Sequence, residues 1–298
     1  MKHIFGTHPV DNGGIHMAVY RSANAGFEAV QIFTAIPKFY GDKSSIRPER
    51  VEKFRAALQD TGMKPENVIV HAAYVLSVAT ADPQMWQRAS AGLAREMERS
   101  TELGVGQICF HPGSASDGDA VAAAKRVADA MVVALRRVED SPVRLLVENT
   151  AGAGRTIGRS PGEVGNILSH IPSELRSRCG YGLDTCHLFA SGYDISESPE
   201  RLRSILDDFE SATGERPSFF HLNDSDGAAG SNRDRHTLIG KGRIGAEPFR
   251  WLFADPRTIG IPLVLETPQI NVAVEREDPS PDPWDLEMRA LLHSLAGD

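Results

Sequence analysis

The chain has little cysteine: three in 298 residues, none in a Cys-x-x-Cys pair, so no disulfide framework is expected. Cys109 lies inside an apolar run and reads as core. Cys186, between Asp184 and His187, reads as packing that borders a site. No apolar run approaches the ~20 residues of a membrane span. The opening MKHIFGTHPV lacks the roughly 7–15-residue apolar stretch of a secretory signal, which makes a cytoplasmic protein the expectation. There is also no excess of positive charge. The formal net charge of −8 is awkward for a partner as anionic as DNA, so any such binding must come from local fields. The GKGRIG run at 240–245 has neither the spacing nor the Lys-Ser/Thr ending of a P-loop, although its backbone N–H groups are candidates for holding an anion. No break in composition divides the chain, and 1–298 reads as a single domain.

What is present is a regular alternation. Apolar runs near 3–5, 29–33, 67–71, 107–110, 143–148, 181–184, 218–221 and 261–266 read as strands. Helical patterns lie between them, at 48–60 with Val51, Phe54, Ala57 and Leu58 on one face, at 83–103 ending on Gly104, and at 119–138, rich in alanine. Further helices are expected from Ser160-Pro161, at 199–213, at 246–254 and at 284–296. Eight strands alternating with helices predict an α/β fold with a parallel sheet closed into a (β/α)8 TIM barrel. Three long irregular stretches are expected, at 34–47, 222–245 and 268–283.

Six apolar runs end on a residue that can hold a metal: His71, His111, Glu148, Asp184, His221 and Glu266. In such a barrel the C-terminal strand ends converge on one face, where active sites form. Three more donors adjoin them: His187 in LDTCH, and Asp234 and His236 in the long loop after the seventh strand. Taken singly, a histidine at a strand end is more often a hydrogen-bonded residue than a ligand, and an acid there is often a helix cap or an ion-pair partner. The set is the argument, because gathering several carboxylates out of water without cations is prohibitive. Oxygen and imidazole donors suit zinc, and manganese or iron accept the same ligands.

The segments HAAY at 71–74, HPGS at 111–114, VENTAG at 147–152, GLDTCHLFASGYDI at 182–195, HLNDS at 221–225, DRHTLIGKGRIG at 234–245 and LETP at 265–268 resemble the endonuclease IV family. This is the metal-dependent apurinic/apyrimidinic endonuclease family built on a TIM barrel. The likeness runs along essentially the whole chain. It implies three zinc ions: one on His71 and His111 with Glu148 bridging, a second on Glu148, Asp184, His221 and Glu266, and a third, more exposed, on His187, Asp234 and His236. All nine positions carry the family's residue types. The resemblance further implies that a water between the first two ions attacks the phosphodiester 5′ to an abasic site in damaged double-stranded DNA, leaving a 3′-hydroxyl. Glu148 and Glu266 would then be the catalytic carboxylates, with Glu266 orienting or deprotonating that water. Three divalent ions would offset most of the negative net charge.

For DNA contacts, Tyr74 matches the family tyrosine that follows the first ligand. The loop after the second strand departs from the family's Arg- and Gln/Asn-rich stretch and reads Ala35-Ile36-Pro37-Lys38-Phe39-Tyr40. Lys38 is a candidate phosphate contact, and Phe39 or Tyr40 either a wedge in the helix stack or mere loop packing. Among the other rim cations Arg235 and Lys241 are the candidate contacts. Two rivals stand beside the nuclease, taken to be a monomer. One is a sugar isomerase or epimerase on the same barrel, using one or two ions; the other is a protein that binds damaged DNA without cutting it.

Overall fold

The computed structural model describes residues 2–35 and 45–297. Eight parallel strands close into a barrel: β1 (Ile4–Thr7), β2 (Ala29–Phe33), β3 (Val68–His71), β4 (Gln107–Phe110), β5 (Arg144–Glu148), β6 (Cys179–Asp184), β7 (Phe220–His221) and β10 (Pro262–Leu265), with β10 closing onto β1. The two remaining strands, β8 (Asp224–Ser225) and β9 (His236–Thr237), pair antiparallel as a small ribbon above the barrel mouth. Outside run the helices α1 (Ile15–Asn24), α2 (Pro48–Thr61), α3 (Pro83–Leu103), α4 (Ala120–Arg136), α5 (Pro161–Ser169), α6 (Ser173–Arg176), α7 (Thr185–Ala190), α8 (Pro199–Thr213), α9 (Glu247–Phe253) and α10 (Pro283–Ala296). None among the described residues is long and apolar enough to cross a membrane.

Local chemistry explains where the helices begin and end. Asp82, Asp119, Ser160 and Ser198 each accept a backbone N–H of the first turn, and each of α2, α3, α5 and α8 begins on a proline that has no N–H to satisfy. Gly104 ends α3 at φ 79°, a left-handed conformation costly for any residue with a Cβ.

The barrel is filled in layers. Alternate residues of a strand share a face, so a side chain pointing into the lumen is followed two positions later by another. Ala29, Ile69, Cys109, Leu146, Phe219 and Val264 form an apolar cluster of their own, distinct from the larger core between sheet and helices. Gly6 and Gly182 complete that layer because nothing larger fits. A Cβ at Gly6 would lie 2.6 Å from the Ala29 carbonyl oxygen, and one at Gly182 would lie 2.1 Å from the Phe219 ring. Two residues on, every strand delivers a polar side chain to the C-terminal mouth: His8, Gln31, His71, His111, Glu148, Asp184, His221 and Glu266. The apolar plug is thus the floor on which the polar layer stands.

The structure differs from the sequence reading in detail. β7 holds two residues where four were expected, yet Phe219 keeps its place in the lumen layer. β6 starts two residues early, at Cys179. The stretch 222–245, expected to be irregular, contains the β8–β9 ribbon, and the short helices α6 and α7 were not anticipated.

Candidate metal centre

Glu148 is the hub. Its side chain is fully buried, and its two oxygens face different histidines. Oε2 lies 3.1 Å from Nε2 of both His71 and His111. Oε1 lies 2.8 Å from Nδ1 of His221 and 3.5 Å from Nδ1 of His187. Glu148, Asp184, His221 and Glu266 present ligand atoms all within 4.8 Å of one another, and so do His187, Asp234 and His236. His71 and His111 share the Glu148 oxygen with ring centroids 5.2 Å apart. All nine residues singled out from the sequence therefore gather at the mouth of the barrel; two of the expected groups recur as clusters, whereas His71 clusters with Cys109 and Glu148, and His111 with Glu148 and His187.

Local structure explains the LDTCH spacing. Asp184 ends β6 and caps α7, its Oδ1 accepting the His187 N–H at 2.8 Å. An N-cap and the third residue of its helix lie side by side, so His187 enters the cluster from the first turn. Asp184 Oδ2 accepts from Asn223 Nδ2 at 2.6 Å and faces His236 Nε2 at 3.5 Å. Asn149 Oδ1 receives the Asp184 N–H, and Asn223 Oδ1 the Glu266 N–H. These two asparagines lock neighbouring strand ends together.

The imidazole hydrogen bonds sort the ring nitrogens. His71 Nδ1 donates to the Ala72 carbonyl at 2.7 Å and His187 Nδ1 to the Asn149 carbonyl at 2.9 Å, which turns both Nε2 atoms toward the carboxylates. Nε2 of His111 and of His236 are buried, stand 3.1 and 3.0 Å from carboxylate oxygens, and still make no well-directed hydrogen bond. Acceptor nitrogens and acceptor oxygens converging on common points, with the outer ring nitrogen tied to a carbonyl, are what a divalent cation requires. The donor set suits divalent cations.

Without cations, protons must take their place. Burial disfavours charge on His221 and His236, but Glu148 for the first and Asp184 for the second outweigh it, and both pKa values rise to about 9. His71 rises too, against its burial, through Glu148. Burial pushes Glu148 and Glu266 up, yet facing histidines, His221 first, hold both below the ordinary carboxylate range. Asp234 is likewise held low, by His187 and His236. Cys109 and Cys186 behave as packing thiols. Burial drives Cys109 well up and Cys186 to about 11, so neither offers a thiolate near neutrality.

Around the cluster, Tyr74 is 53% exposed and packs edge-on against His71 with ring centroids 4.9 Å apart, at the lip of the site. Arg235 and Lys241 are exposed on the ribbon and the loop beyond it. Lys38, Phe39 and Tyr40 lie outside the described residues. One expectation fails. The GKGRIG backbone is not free for an anion, because the buried carboxylate of Asp224 consumes it. Oδ1 accepts from Ser225 and Ile244, and Oδ2 from Gly240, Gly242 and Gly245, at 2.7 to 3.2 Å. A Cβ on Gly242 would sit 2.4 Å from that carboxylate. The loop is a nest wound around an internal anion, with Lys241 and Arg243 projecting from it.

Two residues of the polar layer escape the sequence reading. Gln31 is fully buried and bonds His221, Glu266 and His8 at once. His8 stands 3.8 Å from Glu266 and packs against Phe33 with tilted rings. The available signal is strand parity: eight strands predict eight inward residues at one level, and the apolar runs assign only six.

Residues 19–293 match the family described as a xylose isomerase-like TIM barrel. The chain is 35% identical to a probable endonuclease 4 of Chloroflexus aurantiacus over 98% of its own length and 97% of the relative's. It is 36% identical to a probable endonuclease 4 of Chlorobium limicola, over 99% and 96% of the two. Among solved structures, endonuclease IV from Thermus thermophilus superposes with a TM-score of 0.78 at 33% identity, covering 97% of this chain and 99% of that one. L-ribulose 3-epimerase superposes with a TM-score of 0.69 at 14% identity, a likeness of fold alone. With full-length identity of that order and the donor layer in place, the chain belongs to the endonuclease IV family.

Proposed function

We propose that this chain is an apurinic/apyrimidinic endonuclease that holds three divalent cations, zinc foremost, and hydrolyses the phosphodiester 5′ to an abasic site in duplex DNA. It would act as a monomer in the cytoplasm and leave a 3′-hydroxyl. Bound at this centre, divalent cations supply water ionised near neutrality and neutralise charge on the attacking and leaving oxygens of an in-line displacement. The protein's part is geometric. His71, His111 and Glu148 would hold the first cation, Glu148, Asp184, His221 and Glu266 the second, and His187, Asp234 and His236 the third. Glu148 would serve the first two, its Oε2 facing His71 and His111 and its Oε1 facing His221. Glu266, tethered through its backbone N–H to Asn223, orients the attacking water and accepts its proton. Tyr74 lines the entrance, and Arg235 and Lys241 meet DNA phosphates, as Lys38 would, with Phe39 entering the helix stack at the abasic gap.

The observation that carries this reading is the convergence of four imidazoles on the buried Glu148 carboxylate, with the unbonded Nε2 atoms of His111 and His236 each facing carboxylate oxygens. The outer group of His187, Asp234 and His236 separates it from the sugar epimerases, because a third cation serves a phosphate better than a hydroxyl. The test is nicking of a duplex carrying one abasic site, by protein reloaded with zinc and by the same protein after exhaustive chelation. Cleavage by the first alone, with a product extendable by a DNA polymerase, is expected. No cleavage by fully loaded protein would refute the proposal.

A further inference from the structure

The five clustered histidines do not all fix their rings in the same way. His71 and His187 each give the outer N–H to a backbone carbonyl, Ala72 and Asn149, which no substitution removes. His221 instead gives Nε2–H to a side chain, with Gln31 Oε1 at 2.7 Å. The other end of the same amide, Gln31 Nε2, reaches Glu266 Oε1 at 2.5 Å and His8 Nδ1 at 3.0 Å. Gln31 and His221 lie out of water, Gln31 in the middle of β2, where a polar residue is costly unless fully bonded.

The pattern of donors and acceptors leaves one solution. An ionised carboxylate only accepts, so the NH2 end of Gln31 faces Glu266. Turning the amide over would set a carbonyl oxygen against that carboxylate. The Oε1 end must then face His221, whose Nε2 must donate. In the neutral ring the His221 lone pair is then left on Nδ1, which points at Glu148 Oε1 at 2.8 Å and Glu266 Oε2 at 3.3 Å. A lone pair held against two carboxylates is a cation site. One acid thus sets, through one amide, the tautomer of the histidine opposite.

We propose that Gln31 is a positioning residue of the metal centre, selecting the Nε2–H tautomer of His221 and orienting Glu266, so that both present ligand atoms to the same cation. The inference rests on the three-metal reading above. It adds a residue that the ligand set does not contain, and places the weight of one metal position on a single side chain of β2. Outer partners of this kind are worth about 10–100-fold in metal affinity. Only the position served by His221 and Glu266 should feel the change.

Zinc-loaded wild-type, Gln31→Met and Gln31→Glu proteins are titrated against a competing chelator, and the His221 ring is read by long-range 1H–15N NMR. In wild type, Nε2 carries the proton and Nδ1 the metal. Gln31→Met is expected to weaken one of the ions by about 10–100-fold, leave the others unchanged and lose the fixed tautomer. Gln31→Glu keeps an acceptor for Nε2–H and is expected to restore the ring signature while still weakening the same ion, since its carboxylate repels Glu266. Wild-type affinities and ring signals in Gln31→Met would overturn the inference alone. Should Gln31→Met not fold, a Gln31→Glu protein lacking the Nε2–H signal would overturn it equally. A wild-type protein that takes up no metal would overturn the site reading and this inference together.

Discussion

The inner and outer halves of the donor cluster are built by different means. The inner donors, His71, His111, Glu148, Asp184, His221 and Glu266, end barrel strands or directly follow them, and stand on a floor of apolar side chains. Parallel pairing fixes their relative heights: Glu148 lies beside Gly182 in register, and Asp184 beside His221. The outer donors Asp234 and His236 belong to the ribbon loop, and Asp234 is 47% exposed. What steadies that region is the Asp224 carboxylate, five backbone N–H groups around it and the two-residue ribbon. The barrel sets one half by register; the other half depends on a loop folded about an internal charge. The inner half is therefore expected to survive perturbation of the outer, while damage to the hub empties both inner positions.

The largest expected effect breaks the comparison at the hub. Glu148→Ala should drop the metal content from about three ions per chain to about one and abolish cleavage. A variant that keeps all its zinc would show that the two inner positions do not share this carboxylate. Asp234→Ala acts on the outer half alone. It should release one ion, leave the inner pair bound, and slow cleavage by about 10²–10³-fold, the scale for removing one stabiliser of developing charge. Loss of all three ions in this variant would mean that the halves are not separate.

How much of this was legible beforehand follows the same division. The six inner donors could be read because each closes an apolar run, and a run that ends on an acid or imidazole is visible without knowing its neighbours. Asp234 and His236 were singled out as further donors in the long loop, but only the family resemblance assigned them to a third ion, since nothing in their spacing tells a ribbon from a solvated loop. The role of GKGRIG was misread. Its glycines announce a nest but not what fills it, and Asp224 lies 16 to 21 residues away from the amides of Gly240 to Gly245 that it binds. Gln31 sat unremarked inside AVQIF because a single polar residue in a strand has no period of its own. Only closing the barrel puts it across from His221, 190 positions away.

Smaller effects sharpen the picture of the outer half. Asp224→Ala leaves five backbone donors without their acceptor and should cost on the order of 3 kcal/mol of stability, read as a lowered urea midpoint. The outer ion should weaken with it and the inner pair should not. An unchanged midpoint would mean that the loop holds its shape without the carboxylate.

The smallest is a dependence on pH. In metal-free protein His221 and His236 titrate near 9, above the ordinary 6.5 of an unfolded chain. Their contribution to stability is therefore fully present below pH 6.5 and is lost as pH rises through about 9. Metal-free protein should weaken over that window, and His236→Gln should flatten the slope only in part, leaving the share of His221. Zinc uptake should run the other way, tightening as pH rises, because ligand imidazoles must shed their protons. A metal-free stability that does not change between pH 6.5 and 9 would show that neither half holds its histidines charged.

The most direct test is a crystal structure of zinc-reloaded protein with anomalous scattering recorded at the zinc edge. Three peaks are predicted: one among His71, His111 and Glu148, one among Glu148, Asp184, His221 and Glu266, and one among His187, Asp234 and His236. Peaks elsewhere, or fully loaded protein with the Glu148 hub bare, would contradict the account.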